Sequence, residues 1–277
     1  MLTLNSQGKT LHSSKPLIMG ILNVTPDSFY QKSRVMAVSE ATDIAGKMLD
    51  EGASILDIGG QSTRPGASAI SAHEELDRIG AVIEAVVQLF PDTFISVDTY
   101  HSEVAKQVVK LGAHIINDIS GGQYDAAMFS TIAALDVPYI VMHVNENKDQ
   151  MHHVKNEASI MPVLHDFFST TCNRAKDAGI QQLILDPGFG FSKSPTQNFE
   201  LISNLSSLSM YQKPLLIGVS RKSTIYKTLG ITAAEALNGT TVLHTAALLY
   251  GASILRVHDV KQAIECIKIT TFAKNNC

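Results

Sequence analysis

Cysteine is scarce. The 277-residue chain has three, Cys172, Cys266 and Cys277, scattered and without a Cys-x-x-Cys pair. That excludes a disulfide framework and points to a reduced, cytoplasmic setting. No His/Cys spacing of the zinc type occurs, and His152-His153, adjacent in a polar loop, reads as solvated. Basic runs are missing too. Lys and Arg number 22 against 26 Asp and Glu, a formal net charge of -4, so no nucleic-acid partner is expected. No apolar run approaches the roughly 18 residues that would suggest a membrane span. The opening stretch "MLTLNSQGKTLHSSKP" lacks the charged start and apolar core of a secretory signal. What is present is 45% apolar residues, enough for a large buried core.

Short β-rich apolar runs alternate with longer stretches of helical period. The strand candidates are "LIMGILN" (17–23), "SILDI" (54–58), "FISVD" (94–98), "HIIND" (114–118), "PYIVMH" (138–143), "QLILD" (182–186), "LLIGVS" (215–220) and "SILRV" (253–257). All are nearly continuously apolar, as parallel strands covered on both faces should be. Between them, "AVSEATDIAGKMLDEGA" puts Ala41, Ile44, Ala45, Met48 and Leu49 on one helical stripe, with Gly52 as its stop. "SAHEELDRIGAVIEAVVQLF" begins at a candidate cap, Ser71, with Glu74 three residues on. Eight strand-then-helix units follow one another with no linker, so residues 1–277 read as a single domain. The fold class expected is α/β, a (β/α)8 TIM barrel, which typically needs about 250 residues. The surplus fits a short N-terminal β-hairpin around the turn-like "NSQGK". The alternative is an open doubly wound sheet, against which no Gly-x-Gly-x-x-Gly follows the first strand.

Reading the end of each proposed strand yields Asn23, Asp57, Asp98, Asn117, His143, Asp186, Ser220 and Arg256. In a barrel such ends converge on one mouth, where active sites of this fold lie. Any one polar strand end simply marks where burial stops. Eight together, mixing carboxylates, carboxamides and cations, describe a site. The loops that follow carry Thr63 and Arg64 in "GGQSTRPGA", two glycines and two aromatics in "DPGFGF", adjacent cations in "GVSRKS", and Arg256 with His258 in "LRVHDV". Arginine suits bidentate contact with phosphate oxygens, and lysine is a mobile point donor.

Taken in order, "MGILNVTPDSF", "DIGGQSTRPGA", "SVDT", "IND", "DPGFGF", "SRKS" and "RVHD" resemble the dihydropteroate synthase family over nearly the whole chain. That family joins 6-hydroxymethyl-7,8-dihydropterin diphosphate to p-aminobenzoate, releasing diphosphate. The resemblance implies that Asp98, Asn117 and Asp186 bind the pterin edge. Lys222 would donate to the ring carbonyl side, Arg256 would stack on the ring, and Met142 and Ile119 would form a wall. It implies a diphosphate side at Asn23, Thr63, Arg64, Arg256 and His258. Mg2+ would be held through diphosphate oxygens, water and Asn23, in keeping with its preference for oxygen ligands. The p-aminobenzoate would meet Phe29, Thr63, Pro65, Phe191, Lys222 and Ser223. Lys222, Arg256 and Asp98 are the expected catalytic residues, Asp98 by stabilising cationic character. A homodimer is also implied, with "NGTTVLHTAALLYGA" and "VKQAIECIKITTF" able to supply either an interface or barrel packing.

Four stretches depart from the family pattern. Tyr30-Gln31-Lys32-Ser33-Arg34 follows "TPDSF" where a Ser-Asp-Gly-like run is common, and Gln61 stands where Glu is common. Tyr100-His101 replaces a residue-lysine pair, and "VNENKDQMHH" replaces a short glycine-containing loop. Two rival functions share the pterin-edge residues. One is a methyltransferase passing methyl groups from methyltetrahydrofolate to a corrinoid protein; the other is a non-catalytic pterin-binding interaction protein. The methyltransferase has no diphosphate to hold, so "TPDSF", "STRPG" and "SRKS" argue against it, and the retention of Lys222, Arg256, His258 and both aspartates argues against the interaction protein.

Overall fold

The structure, a computed structural model, describes residues 1–24, 34–62, 68–145, 150–154 and 157–275. It opens with an antiparallel hairpin, β1 (Leu2–Ser6) and β2 (Lys9–Ser13). Gln7 and Gly8 turn it with φ of 49° and 78°, the pair of positive values that a two-residue turn matched to strand twist requires.

Eight parallel strands follow: β3 (Leu17–Asn23), β4 (Ile55–Gly59), β5 (Phe94–Asp98), β6 (Ile115–Asp118), β7 (Tyr139–Met142), β8 (Leu183–Asp186), β9 (Leu216–Ile217) and β10 (Ile254–Val257). They pair in sequence from β3 to β8, and β10 pairs with both β3 and β9. The ring closes where β8 meets the start of β9: Leu185 bridges Leu215, and its amide donates to the Pro214 carbonyl at 2.9 Å. The barrel expected from the sequence is the one formed, and the open sheet is not. Several strands are shorter than their apolar runs. "LLIGVS" gives only Leu216 and Ile217 to the ladder, because its last residues leave the sheet to build the loop beyond.

Nine helices are described around the ring: α1 (Arg34–Asp50), α2 (Ala72–Leu89), α3 (Ser102–Lys110), α4 (Met128–Leu135), α5 (Ile160–Ala178), α6 (Pro195–Ser203), α7 (Ser223–Leu229), α8 (Leu237–Leu249) and α9 (Val260–Asn275). Ser71 does cap α2, accepting from the Glu74 amide at 3.2 Å. Glu74 does not complete a capping box; its carboxylate takes Arg78 at 2.6 Å instead. The reciprocal box occurs at α6, between Ser194 and Gln197.

Side chains alternate across each strand. Ile18, Leu56, Ile95, Ile116, Val141, Leu185, Ile217 and Leu255 face outward into the helices. The inward set is Leu17, Met19, Ile55, Phe94, Ile115, Ile140, Ile184, Leu216 and Ile254, joined by Leu2 and Leu4 of the hairpin. The hairpin thus plugs the lower end, each buried leucine contributing about 1.5–3 kcal/mol. Two residues beyond each inward apolar residue, the same face presents Ile21, Asp57, Ser96, Asn117, Met142, Asp186, Gly218 and Arg256. The period of two that builds a dry floor therefore builds a polar layer above it.

Candidate active site

Arg256 leaves β10 pointing into the ring. Its Nε donates to Asp57 Oδ2 at 2.6 Å and its Nη2 to Asp98 Oδ2 at 2.8 Å. Asp57 Oδ2 also accepts from Asn117 Nδ2 at 3.0 Å. Four strands thereby contribute to one charged network, with a guanidinium fork whose geometry matches two carboxylates. Asp57 is fully buried, and among the described residues its Oδ1 has no hydrogen-bond partner. Asn23, at the end of β3, is beside this group: a Cβ built on Gly59 would lie 3.9 Å from Asn23 Oδ1 and 3.4 Å from Asp98 Cβ.

The electrostatics are tense. Burial, with the neighbouring Asp57 charge adding to it, pushes the Asp98 carboxyl up to about 7 against the opposing pull of Arg256. Burial also disfavours the Arg256 charge, but Asp57 and Asp98 outweigh it and hold the guanidinium ionised. Asp186 is raised by burial, with Lys222 and the Gly188 N–H opposing. The Asp98 shift has a measurable sign. Its folded pKa lies above the free value of 3.8, so the folded chain keeps a proton that the unfolded chain releases. Stability drawn from Asp98 therefore falls as pH rises from about 4 to about 7. The melting temperature of the wild type should drop relative to Asp98→Asn between pH 5 and pH 7.5. A constant difference would mean that the carboxyl is ionised throughout.

The second half of the site is the loop after β8, "DPGFGF". Gly188 N donates to Asp186 Oδ1 at 2.8 Å, and Gly190 N to Asn198 Oδ1 at 2.7 Å. Gly188 and Gly190 have φ of 69° and 82°, values that side chains rarely adopt. A Cβ at Gly188 would lie 2.1 Å from the His143 carbonyl oxygen, and one at Gly190 2.8 Å from Lys222 Cδ. Both glycines are needed for close approach. Lys222 crosses the loop, donating to the Phe189 carbonyl, with its Nζ 4.5 Å from the Phe191 ring centre. Burial lowers its pKa to about 8, with Asp186 pulling it back. Gly218 lies between the two cations: a Cβ there would be 3.8 Å from Arg256 Cβ and 4.0 Å from Lys222 Nζ.

Ile119, Met142 and Phe191 meet in one buried apolar cluster with Tyr100 and Val144. His258 is exposed at the rim, its Nδ1 3.2 Å from Ser220 Oγ. Ser223 opens α7, a helix of only seven residues, so its hydroxyl rather than a helix end is what it offers. Phe29, Thr63, Arg64 and Pro65 lie outside the described residues, as does Cys277. Among the described residues no cluster of His, Cys, Asp and Glu could hold a metal by itself. Asn23 supplies a single oxygen donor, which fits a hard cation carried mainly by phosphate and water.

The structure also shows what the sequence reading missed. Asp57 was read as a strand end, yet it ties Arg256 and Asn117 together. Arg221, one of the adjacent cations in "SRKS", is turned away from the mouth into a bidentate pair with Asp259 at 2.8 and 2.9 Å. It holds the loop after β9 to the loop after β10. Lys193 is buried behind "DPGFGF". His152 is not simply solvated, since its half-buried ring stacks on Phe191 at 5.4 Å. Two departures from the family pattern meet each other, Tyr100 donating to Gln61 Oε1 at 2.8 Å. The "IND" aspartate, Asp118, faces outward and is satisfied by Ser120, Gly122 and Tyr139.

Known proteins are similar to this chain in sequence and fold. The family model described as "Pterin binding enzyme" matches residues 19–258. A dihydropteroate synthase of Escherichia coli (strain K12) is 40% identical over 276 residues, covering 98% of this chain and 97% of that protein. The dihydropteroate synthase of Yersinia pestis, solved with a sulfonamide drug, superposes with a TM-score of 0.91 at 38% identity, covering all of both chains. That of Xanthomonas albilineans, solved with 4-aminobenzoic acid, superposes at 0.90 with 35% identity and 98% of each chain covered.

Proposed function

The chain belongs to the pterin-binding enzymes, among the dihydropteroate synthases, and on that premise we propose how its site works. It condenses 6-hydroxymethyl-7,8-dihydropterin diphosphate with p-aminobenzoate, forming 7,8-dihydropteroate and diphosphate for folate synthesis. The observation that carries the residue assignments is the Asp57–Arg256–Asp98 network at the mouth, with Asn117 inside it and Lys222 and Asp186 alongside.

The pterin edge, rich in N–H donors, lies against Asp98, Asn117 and Asp186, whose oxygens accept. Asp57 Oδ1, in the same layer, has no hydrogen-bond partner among the described residues, and an acceptor left so costs about 1–3 kcal/mol. Lys222 donates to the ring carbonyl. The Arg256 guanidinium, held edge-on by its carboxylates, lies flat against the ring, and Met142 and Ile119 form the apolar wall. Asn23, Thr63, Arg64, Arg256 and His258 receive the diphosphate. Breaking the bond between the methylene carbon and the diphosphate oxygen sends the electron pair to that oxygen. Fixed donors aimed there stabilise the developing charge. The cation left behind is spread over the electron-rich pterin, with Asp98 opposite it. The arylamine lone pair then forms the new C–N bond, and the nitrogen loses its proton. Phe29, Thr63, Pro65, Phe191 and Lys222 surround the arylamine, and Ser223 meets its carboxylate. Magnesium would be held by Asn23 together with diphosphate oxygens, and when bound it supplies neutralisation of the leaving group.

Residues 1–277 act as one unit in this reading, in the cytoplasm. No helix among the described residues is long and apolar enough to cross a membrane. The same chain is proposed to form a homodimer through α8 and α9, where Val242, Leu249, Ile269 and Phe272 are exposed, the last two at 70% and 72%. Apolar patches rimmed by polar residues mark contact surfaces. Sedimentation should find a dimer that Phe272→Asp converts to monomer; a wild-type monomer at micromolar concentration would end this part of the reading.

One assay tests the function. Purified protein, pterin diphosphate, p-aminobenzoate and magnesium should yield dihydropteroate and diphosphate in equal amounts, and chelation should stop turnover. Pterin binding without product would instead favour an interaction protein. Methyl transfer from methyltetrahydrofolate to a corrinoid protein would favour the methyltransferase.

A further inference from the structure

Lys193 is buried although none of the chemistry above uses it. Its Nζ lies 2.9 Å from His143 Nδ1, 3.0 Å from the Gly188 carbonyl and 3.0 Å from the Phe191 carbonyl, with the His143 carbonyl at 3.4 Å. An ammonium has three protons, and here three acceptors stand at hydrogen-bond distance. When charged, the group is enclosed by oxygens and a ring nitrogen much as a small cation would be; burial lowers its pKa to about 7 against the pull of Asp186. The loop that wraps it is the one whose other side faces the mouth. Phe191 N closes the wrap by donating to the Gly188 carbonyl at 3.1 Å, while the Phe189 carbonyl and the Phe191 ring both contact Lys222.

We propose that Lys193 is a positioning residue for the arylamine half of the site: its head group pins the Gly188 and Phe191 carbonyls, and so sets the Phe191 ring. The inference rests on the proposed function. It distinguishes the two substrates, because Asp186 and Asn117 are anchored by the β8 and β6 ladders, whereas the Phe191 ring is carried by the loop alone. Losing the ammonium removes the cross-link between the Gly188 and Phe191 carbonyls and loosens the arylamine wall, while the pterin edge stays in place.

The test is the split between substrates. Lys193→Ala should raise the KM for p-aminobenzoate about tenfold, while the Kd for pterin diphosphate, read by calorimetry, changes less than about twofold. Ammonium chloride, at an ionic strength matched with tetramethylammonium chloride, should lower the raised KM; tetramethylammonium, too large for the vacated space, should not. Equal deterioration of both substrates, or an unchanged KM, would overturn the proposal, and a raised KM indifferent to ammonium would overturn its dependence on charge. Should Lys193→Ala fail to fold, Lys193→Gln keeps most of the volume and some donors, and the same split at smaller size is expected. Wild-type turnover is the control. Without it the proposed function fails; with it, the split alone decides.

Discussion

Arg256→Gln is expected to lower kcat/KM by about a thousandfold and to cost about 3 kcal/mol of stability. The two losses have one origin. Asp57 is fully buried and Asp98 largely so against the guanidinium, at 2.6 and 2.8 Å. A glutamine amide can reach one of them but carries no charge, so two buried carboxylates face each other without a cation. Removing one partner of such a group costs more than the group contributes when intact, because the remaining charge is left desolvated. In the proposed mechanism the flat cation against the pterin is lost at the same time, and with it a donor toward the leaving diphosphate. Denaturant titration and steady-state kinetics check both numbers. Adding Asp57→Asn to Arg256→Gln should recover part of the stability and none of the activity, since the two positions are in contact and their effects do not add. Full stability in Arg256→Gln alone would show that the network does not hold the mouth together.

Lys222→Ala should separate the two properties. Activity is expected to fall by about a hundredfold to a thousandfold, with stability unchanged or improved. Burial lowers the Lys222 pKa to about 8 from 10.5, so holding its charge at neutral pH works against folding. The sign follows from linkage. Between about 8 and 10.5 the unfolded chain binds a proton that the folded chain has released, so stability drawn from Lys222 rises with pH across that window. Urea midpoints should therefore shift in favour of the wild type over Lys222→Ala as pH is raised from 8 to 10. Wild-type kcat/KM should decline above pH 8 as the donor is deprotonated. A midpoint loss of several kcal/mol in Lys222→Ala at pH 7 would instead make this lysine a structural cross-link.

Much of the polar layer at the mouth was legible in the chain because strand alternation is a short-range rule. From Ile55 to Asp57, Ile115 to Asn117, Ile184 to Asp186 and Ile254 to Arg256, each step of two carries an apolar floor residue into a polar ligand. Ring closure then brings the steps together without further information. What the sequence hid depends on distance. Arg256 finds Asp57 across 199 residues, and Lys193 finds His143 across 50. Nothing local distinguishes Lys193 or Arg221 from a solvated surface cation. The half-made cap at Ser71 has the same cause on a smaller scale, since Glu74 had two partners within reach and the nearby arginine won. His152 could be placed only once Phe191 was seen beneath it. The first two loops of the mouth, with Phe29, Thr63, Arg64 and Pro65, are still assigned by resemblance.

Leu2 and Leu4, wedged under the ring by the hairpin, make the vessel a cul-de-sac. On the proposed function, the reactants then come in by the mouth through which the diphosphate leaves, and an arylamine seated first beside Ser223 and His258 would stand between solvent and the pterin edge at Asn117 and Asp186.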